Sequence, residues 1–367
     1  ITSIKNQSRA GTCWCYSSLA FIESELIRMG KGEFDLSEMF IVHNTYLDRA
    51  DKAVRTHGDV SFSQGGSFYD VMYGMKTFGL VPEAEMRPGV MYGDTLSNHN
   101  ELTAVSDAVV AAIAKGGLKK LQKNDKNEML WKKAIESIHD IYLGERPEKF
   151  TYEGKEYTPK SFAQSLGLNM DDYIELTSFT HHPYYQLCAP EVPDNWERKL
   201  MYNVPLDEMI AIADHALKNG YTVCWDGDVS EKGFSHKNGV AINPEVKKLE
   251  DMSGTDRARF EKMDERARLE EAYKFQAPCP EVNVTPEVRQ AGYESFVTTD
   301  DHLMHLTGIV KDQNGTKYYI TKNSWGTERN TFGGYLNMSE SYVRAKTIYI
   351  LVHKDGIPKD IKKKLGL

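Results

Sequence analysis

The 367-residue chain has little of several things that would classify a protein at once. It carries five cysteines, at 13, 15, 188, 224 and 279. That is too few for a disulfide scaffold, and the odd count leaves at least one thiol free or bridged to another molecule. No run approaches the ~18 consecutive apolar residues of a membrane-spanning helix. Cations are outnumbered, 45 Lys and Arg against 53 Asp and Glu, and the resulting net charge of −8 works against a general affinity for nucleic-acid phosphates. Internal repeats and low-complexity tracts are missing. Zinc spacing is missing too: Cys13 and Cys15 form a C-x-C pair where structural sites use C-x₂₋₄-C with a second pair of ligands, and His181–His182 in "FTHHPYY" reads as a loop, so no metal site is expected. The chain starts at Ile1 in "ITSIKNQ" rather than at Met, which allows for a removed upstream segment such as a signal peptide.

What is present is ample core material, with 40% apolar and 27% charged residues. The length exceeds what one core usually serves, so one large domain with an elaboration, or two lobes, is expected. After Cys13 the apolar positions Cys15, Leu19, Ile22, Leu26 and Met29 recur in helical steps, and Gly30 and Gly32 predict the stop. At the other end, "HLTGIV" and "KYYITKNSW" are β-rich runs around "KDQNGT", whose Asn-Gly signals a hairpin. Between them, "LKKLQKNDKNEMLWKKAIESIHDIYLG" and "LDEMIAIADHALKNG" have helical spacing, the second stopped at Gly220. In residues 256–275, 12 of 20 side chains are charged with mixed sign, the pattern of a solvated helix laced with ion pairs.

The chemistry concentrates in "NQSRAGTCWCYSS", residues 6–18. A thiol attacks a carbonyl as thiolate, and a helix N-terminus with a nearby imidazolium favours that form. Cys13 stands where the helix begins; Cys15 falls on its apolar face and reads as a buried structural thiol. Far downstream, "DDHLMHLTGIV" and "ITKNSWG" supply histidine and then asparagine. A base opening one strand of a hairpin and an amide closing the next can lie side by side, the amide orienting the ring. Gln7, six residues before Cys13, is near enough to aim an amide at a developing oxyanion.

"NQSRAGTCW" and "KNSWG", with a histidine at the start of a β-run between them, resemble the papain-type cysteine peptidases. The resemblance implies Cys13 as nucleophile, His305 or His302 as base, Asn323 as its orienter, Gln7 in the oxyanion hole and Trp325 over the Asn–His hydrogen bond. Glycine-rich "SQGGSFYD" is similar to the segment that holds the substrate peptide, which nominates Gly65 and Gly66. His305 is the choice for the base, because it leads directly into Leu306–Val310 whereas His302 follows Asp300–Asp301. Papain-type enzymes place the histidine ~130–150 residues after the cysteine; here the step from 13 to 305 is 292 residues. Insertions of this length, and stretches such as "LSEMFIVHNTYLDRA" and "VPLDEMIAIADHALKNGYTVCWDGDVS", resemble the bleomycin hydrolase and aminopeptidase C branch.

The resemblance implies an α+β, papain-like two-lobe fold. A helical lobe with the nucleophile is expected over 1–101, a mostly helical inserted region partly contributing to the core over 102–297, and a β-rich, barrel-like lobe with His and Asn over 298–367. It implies a peptidase that releases amino-terminal residues through a thioester, needs no cofactor, takes peptides as its partners, assembles as a homo-oligomer (hexamers being the family habit) and works in the cytoplasm. Membrane and nucleic-acid partners are not expected, and the processed-looking N-terminus keeps an exported or periplasmic location open. Ala10 stands where secreted members carry a disulfide cysteine, in keeping with the intracellular branch. In the resembling branch the terminal carboxylate, here Leu367, reaches the cleft. The short arm "DGIPKDIKKKLGL" keeps an open-cleft endopeptidase in view, and a catalytically retired peptide-binding scaffold is the alternative from a different class.

Overall fold

A computed structural model describes residues 1–116, 118, 120–245, 249–251 and 254–367. The chain divides into two compact units, Ile1–Asp172 with Glu191–Lys199, and Tyr173–Pro190 with Leu200–Leu367. Among the described residues no helix is long and apolar enough to cross a membrane.

The first unit is helical. It contains α1 (Cys13–Arg28), α2 (Glu38–Arg55), α3 (Phe68–Thr77), α4 (Asn100–Ala114), α5 (Leu130–Leu143), a small antiparallel pair β1 (Phe150–Tyr152) and β2 (Lys155–Tyr157), and α6 (Pro159–Leu166). Caps fix the starts. Ser37 accepts the Phe40 N–H at the head of α2, and Ser67 and Asp70 form a capping box at the head of α3. α1 begins at Cys13 and ends before Gly30, as its spacing predicts, yet all of residues 13–26 are buried, and Met29 is exposed beyond the last turn. It is a central helix packed on α2 and α3, not one with a single apolar face. Its buried acids are matched: Glu23 accepts the Thr2 hydroxyl at 2.6 Å and the Leu36 N–H at 3.0 Å, and Glu25 pairs with Arg28 at 2.7 Å, while Lys5 meets the buried Glu38 of α2 at 2.8 Å.

Among the described residues the second unit is built on ten strands. In chain order it runs β3 (Tyr173–Thr177), β4 (Gln186–Cys188), β5 (Met201–Asn203), α7 (Leu206–Lys218), β6 (Val223–Gly227), β7 (Phe234–Ser235), β8 (Val240–Ala241), α8 (Gly254–Phe260), α9 (Glu265–Ala272), α10 (Pro286–Glu294), β9 (His302–Lys311), β10 (Lys317–Lys322), β11 (Tyr335–Ser339), α11 (Glu340–Lys346), β12 (Thr347–His353) and α12 (Lys359–Leu365). The sheet order is β4-β5-β3-β12-β6-β9-β10-β11-β8-β7. The hairpin expected at Asn314-Gly315 joins β9 to β10, with Gly315 at φ +82° and Asp312 Oδ1 accepting the N–H groups of Asn314 and Thr316. α7 ends as predicted, with Gly220 at φ +82°. It covers a core that includes Met209, Ile212, Trp225, Met304, Leu306, Tyr319 and Leu365.

Three expectations need correction. The described strand order ends at β4 and β7, so the sheet is open rather than barrel-like. The segment 102–297 holds α5 to α10 and is divided: its first part belongs to the first unit, and the rest also supplies six of the ten described sheet strands, including β6 beside β9 with every residue buried. Runs of two to five residues are too short for periodicity to separate from loop. The charged stretch 256–275 is broken into α8 and α9, and "LKKLQKNDKNEM" precedes α5 without being helical, residue 119 lying outside the described residues.

Candidate active site

In the first unit Thr12 is the N-cap residue of α1, and its carbonyl accepts the N–H groups of Cys15 at 2.9 Å and Tyr16 at 3.2 Å, so Cys13 is the first helical residue. The Cys13 side chain is 8% exposed. Cys15, two residues on, is fully buried; its thiol donates to the Glu38 carbonyl at 3.5 Å and burial pushes its pKa well up, the character of a structural thiol. The Gln7 amide is buried and donates to the Ala10 carbonyl at 2.8 Å, which ties it to the loop that leads into Cys13.

The glycine segment is lashed to the same loop. Trp14 Nε1 donates to the Gln64 carbonyl at 2.9 Å, and the Gly11 N–H donates to Gln64 Oε1 at 2.6 Å. Both glycines have a packing reason. A Cβ on Gly66 would meet the Trp14 indole and Asp70 Oδ2 at 2.9 Å, and one on Gly65 would collide with the Asp194 carboxylate. Arg49 donates to the Gly65 carbonyl and lies 3.7 Å from Asp194.

In the second unit the structure corrects the choice of histidine. His302, not His305, meets Asn323: Nε2 lies 2.8 Å from Oδ1, and the Trp325 ring lies over the imidazole at 4.7 Å. The reason is strand geometry. β9 begins at His302, three residues before the apolar run becomes obvious, and side chains three apart on a strand point to opposite faces. His302 shares its face with Met304 and Leu306; His305, paired with Cys224 of β6 and Lys322 of β10, is turned away. Burial first, and then the nearby Lys322 charge, hold the His305 ring neutral far below the usual range.

Burial also lowers the His302 pKa, to about 4, against the opposing pull of the Asn323 hydrogen bond and the Asp301 charge. The Ser324 N–H donates to Asn323 Oδ1 at 2.8 Å, so that atom is the carbonyl oxygen and His302 Nε2 carries the proton. Nδ1 is then the nitrogen left to exchange protons.

One member of the cluster escaped sequence reasoning. His236, just after β7, places Nδ1 3.2 Å from Asn323 Nδ2 and its ring 5.1 Å from Trp325. "FSHKNG" contains no motif and lies far from the other residues in sequence, so no signal pointed to it. Leu367 does not join the cluster either. It follows α12, whose Ile361 and Leu365 are buried in the core, and its N–H donates to the Lys362 carbonyl at 3.1 Å. His181, weighed as a zinc ligand, accepts from Gln290 Nε2 at 2.8 Å.

Residues 2–274 and 282–366 match the model of the peptidase C1-like family. Among curated proteins the chain is 24% identical over 392 residues to aminopeptidase E of Lactobacillus helveticus, covering 96% of this chain and 81% of that one. It is 24% identical over 404 residues to aminopeptidase C of the same species, covering 98% and 81%. Among solved structures, PepW from Lactobacillus rhamnosis superposes with a TM-score of 0.69 at 18% identity, covering 99% of this chain and 82% of the other, which shows a shared fold.

Proposed function

The chain belongs to the peptidase C1-like family, and on that premise we propose that it is a papain-type cysteine aminopeptidase, releasing amino-terminal residues from peptides through a thioester on Cys13. The observation that carries the reading is the His302–Asn323–Trp325 cluster, an imidazole with its tautomer set by a carboxamide and shielded by an indole. A scaffold that had retired from catalysis would have no use for that arrangement. We read the helical unit as the lobe of the nucleophile, the sheet unit as the lobe of the base, and 102–297 as an elaboration distributed between them.

The mechanism requires the His302 ring beside the Cys13 thiol. Positive potential at the start of α1 and an imidazolium neighbour both favour thiolate, and a thiolate neighbour in turn raises the base from its depressed value. Thiolate sulfur attacks the scissile carbonyl carbon, and the oxyanion accepts hydrogen bonds from Gln7 and the Cys13 backbone N–H, which lies outside the i→i−4 ladder. The C–N bond breaks as His302 Nδ1 gives its proton to the departing amine, leaving the thioester. Water then attacks the thioester carbon, its proton passes to His302, and the acid leaves as thiolate re-forms.

Gly65 and Gly66 are read as the rest for the substrate backbone. An aminopeptidase must also meet the substrate α-ammonium with a counter-charge. Asp194, seated on Gly65 and with its side chain 25% exposed, is read as the source of that counter-charge.

The test is mass spectrometry of a peptide mixture digested by the wild type and by Cys13→Ala, with free and amino-blocked termini compared, alongside labelling by a thiol-directed epoxide. Stepwise loss of N-terminal residues from free peptides alone, with labelling at Cys13, is the expected result. Internal cleavage of blocked peptides would make the protein an endopeptidase, and an unlabelled, inert wild type would leave only a scaffold.

A further inference from the structure

We propose that His236 is a positioning residue of the reaction, its Nδ1 lone pair holding the Asn323 carboxamide so that the carboxamide holds the ring of His302. The inference rests on the peptidase reading above, in which His302 is the base.

The Asn323 carboxamide can be oriented without ambiguity. Oδ1 lies 2.8 Å from the Ser324 backbone nitrogen, which can only donate, so Oδ1 is the acceptor and Nδ2 is the group turned toward His236. An amide N–H needs an acceptor, so Nδ1 of His236 is unprotonated and the ring proton sits on Nε2. Three hydrogen bonds then hold the carboxamide: Ser324 N–H and His302 Nε2–H on the oxygen, and Nδ2–H to His236 on the nitrogen.

The backbone that carries His236 is fixed to the segment that carries Asn323. Asn330 Nδ2 donates to the His236 carbonyl at 2.6 Å and to the Tyr335 carbonyl at 2.9 Å, and the Thr331 N–H donates to the Lys237 carbonyl at 3.2 Å. Trp325 is flanked by both imidazoles, His302 at 4.7 Å and His236 at 5.1 Å, and its far edge packs on Phe234 at 5.9 Å.

A space-filling role does not account for the residue. Its Nε2 is buried and has no hydrogen-bond partner among the described residues, and an unmatched buried donor is unfavourable. A leucine or phenylalanine would fill the space beside Trp325 without that cost. Retaining nitrogen there is explained by the acceptor that the other side of the ring gives to Asn323, a local cost of the kind that accumulates at functional sites.

The experiment compares His236→Leu with His236→Asn in the full chain, on a free-amine aminoacyl substrate. Leucine removes the acceptor, whereas the asparagine Oδ1 can accept where Nδ1 did. We expect His236→Leu to lower kcat by about tenfold with KM within about twofold, a fraction of what a general base contributes, and His236→Asn to recover most of it. A nitrogen-15 histidine spectrum adds a readout independent of turnover: wild-type His236 should be the Nε2–H tautomer, and Asn323→Ala should shift its Nδ1 resonance. Unchanged kcat in His236→Leu, equal loss in both variants, or an Nδ1–H tautomer would each overturn the proposal. A wild type without peptidase activity would overturn the underlying reading instead, and the tautomer would still show whether His236 serves Asn323.

Discussion

The stretch proposed to carry the nucleophile and the cluster proposed to carry the base are made in different ways. Cys13, its helix, Gln7 and the loop between them come from one continuous stretch of the first unit, fastened to the glycine segment through Trp14 and Gln64. The proposed base cluster is assembled from the first residue of β9, the turn after β10 and the residue after β7, brought together by the pairing of β9 with β10 and by hydrogen bonds from Asn323 and Asn330. A nucleophile on a helix start depends on local capping and spacing. A base at a strand end depends on where the strand begins, and a shift of one residue turns its side chain to the other face.

The sharpest way to break this comparison is at the nucleophile. Cys13→Ala should abolish hydrolysis, while Cys15→Ala should keep turnover and lose about 1 kcal/mol of stability from a small buried void. Assays beside denaturant titrations would show the reverse if the two thiols had been misassigned.

Next in size is the pair of histidines. His302→Ala should lower kcat/KM by about 10²–10⁴, the usual contribution of a general base, whereas His305→Ala should lower the unfolding midpoint and leave turnover little changed. Activity that vanished in the folded His305 variant and survived in the His302 variant would reverse the assignment to strand faces.

A smaller effect should appear in acid, to which the second unit also contributes through the depressed His302 and His305. The first unit buries three neighbouring imidazoles, with the His43 and His139 rings at 5.7 Å and Tyr46 bridging His99 and His139. Burial lowers His43 to about 3, His99 to about 4 and His139 to about 3. Their folded values lie below the unfolded value near 6.5, so the unfolded chain binds more protons once pH falls below that point. Stability is therefore unaffected by them above about pH 6.5 and declines as pH falls toward 4, by up to ~1.4 kcal/mol per pH unit for each histidine. His139→Leu should make the decline shallower by about one proton's worth. Denaturant midpoints that stay level from about pH 7 to 5 would show that this cluster does not titrate on unfolding.

The smallest effect concerns the tail. If Asp194 supplies the counter-charge, Asp194→Asn should lower the ratio of free-amine to amino-blocked hydrolysis, and deleting Gly366 and Leu367 should leave that ratio unchanged. Parallel assays of the two variants would move the ammonium site to Leu367 if the outcomes were exchanged.

Much of the molecule was legible without coordinates. α1 from Cys13 to Gly30, α7 stopped at Gly220 and the Asn314-Gly315 hairpin each rest on a signal contained within one element: spacing, a glycine stop, a turn dipeptide. Residues 6–18 likewise bring a thiol, a helix start and an amide together by chain connectivity alone. The order of ten strands, the placing of β6 beside β9, the face of β9 that carries His302 and the arrival of His236 at Asn323 were decided by tertiary structure. Short strands carry no periodicity of their own. Their partners are set by which faces can be buried together, and that is a property of the whole sheet and its core.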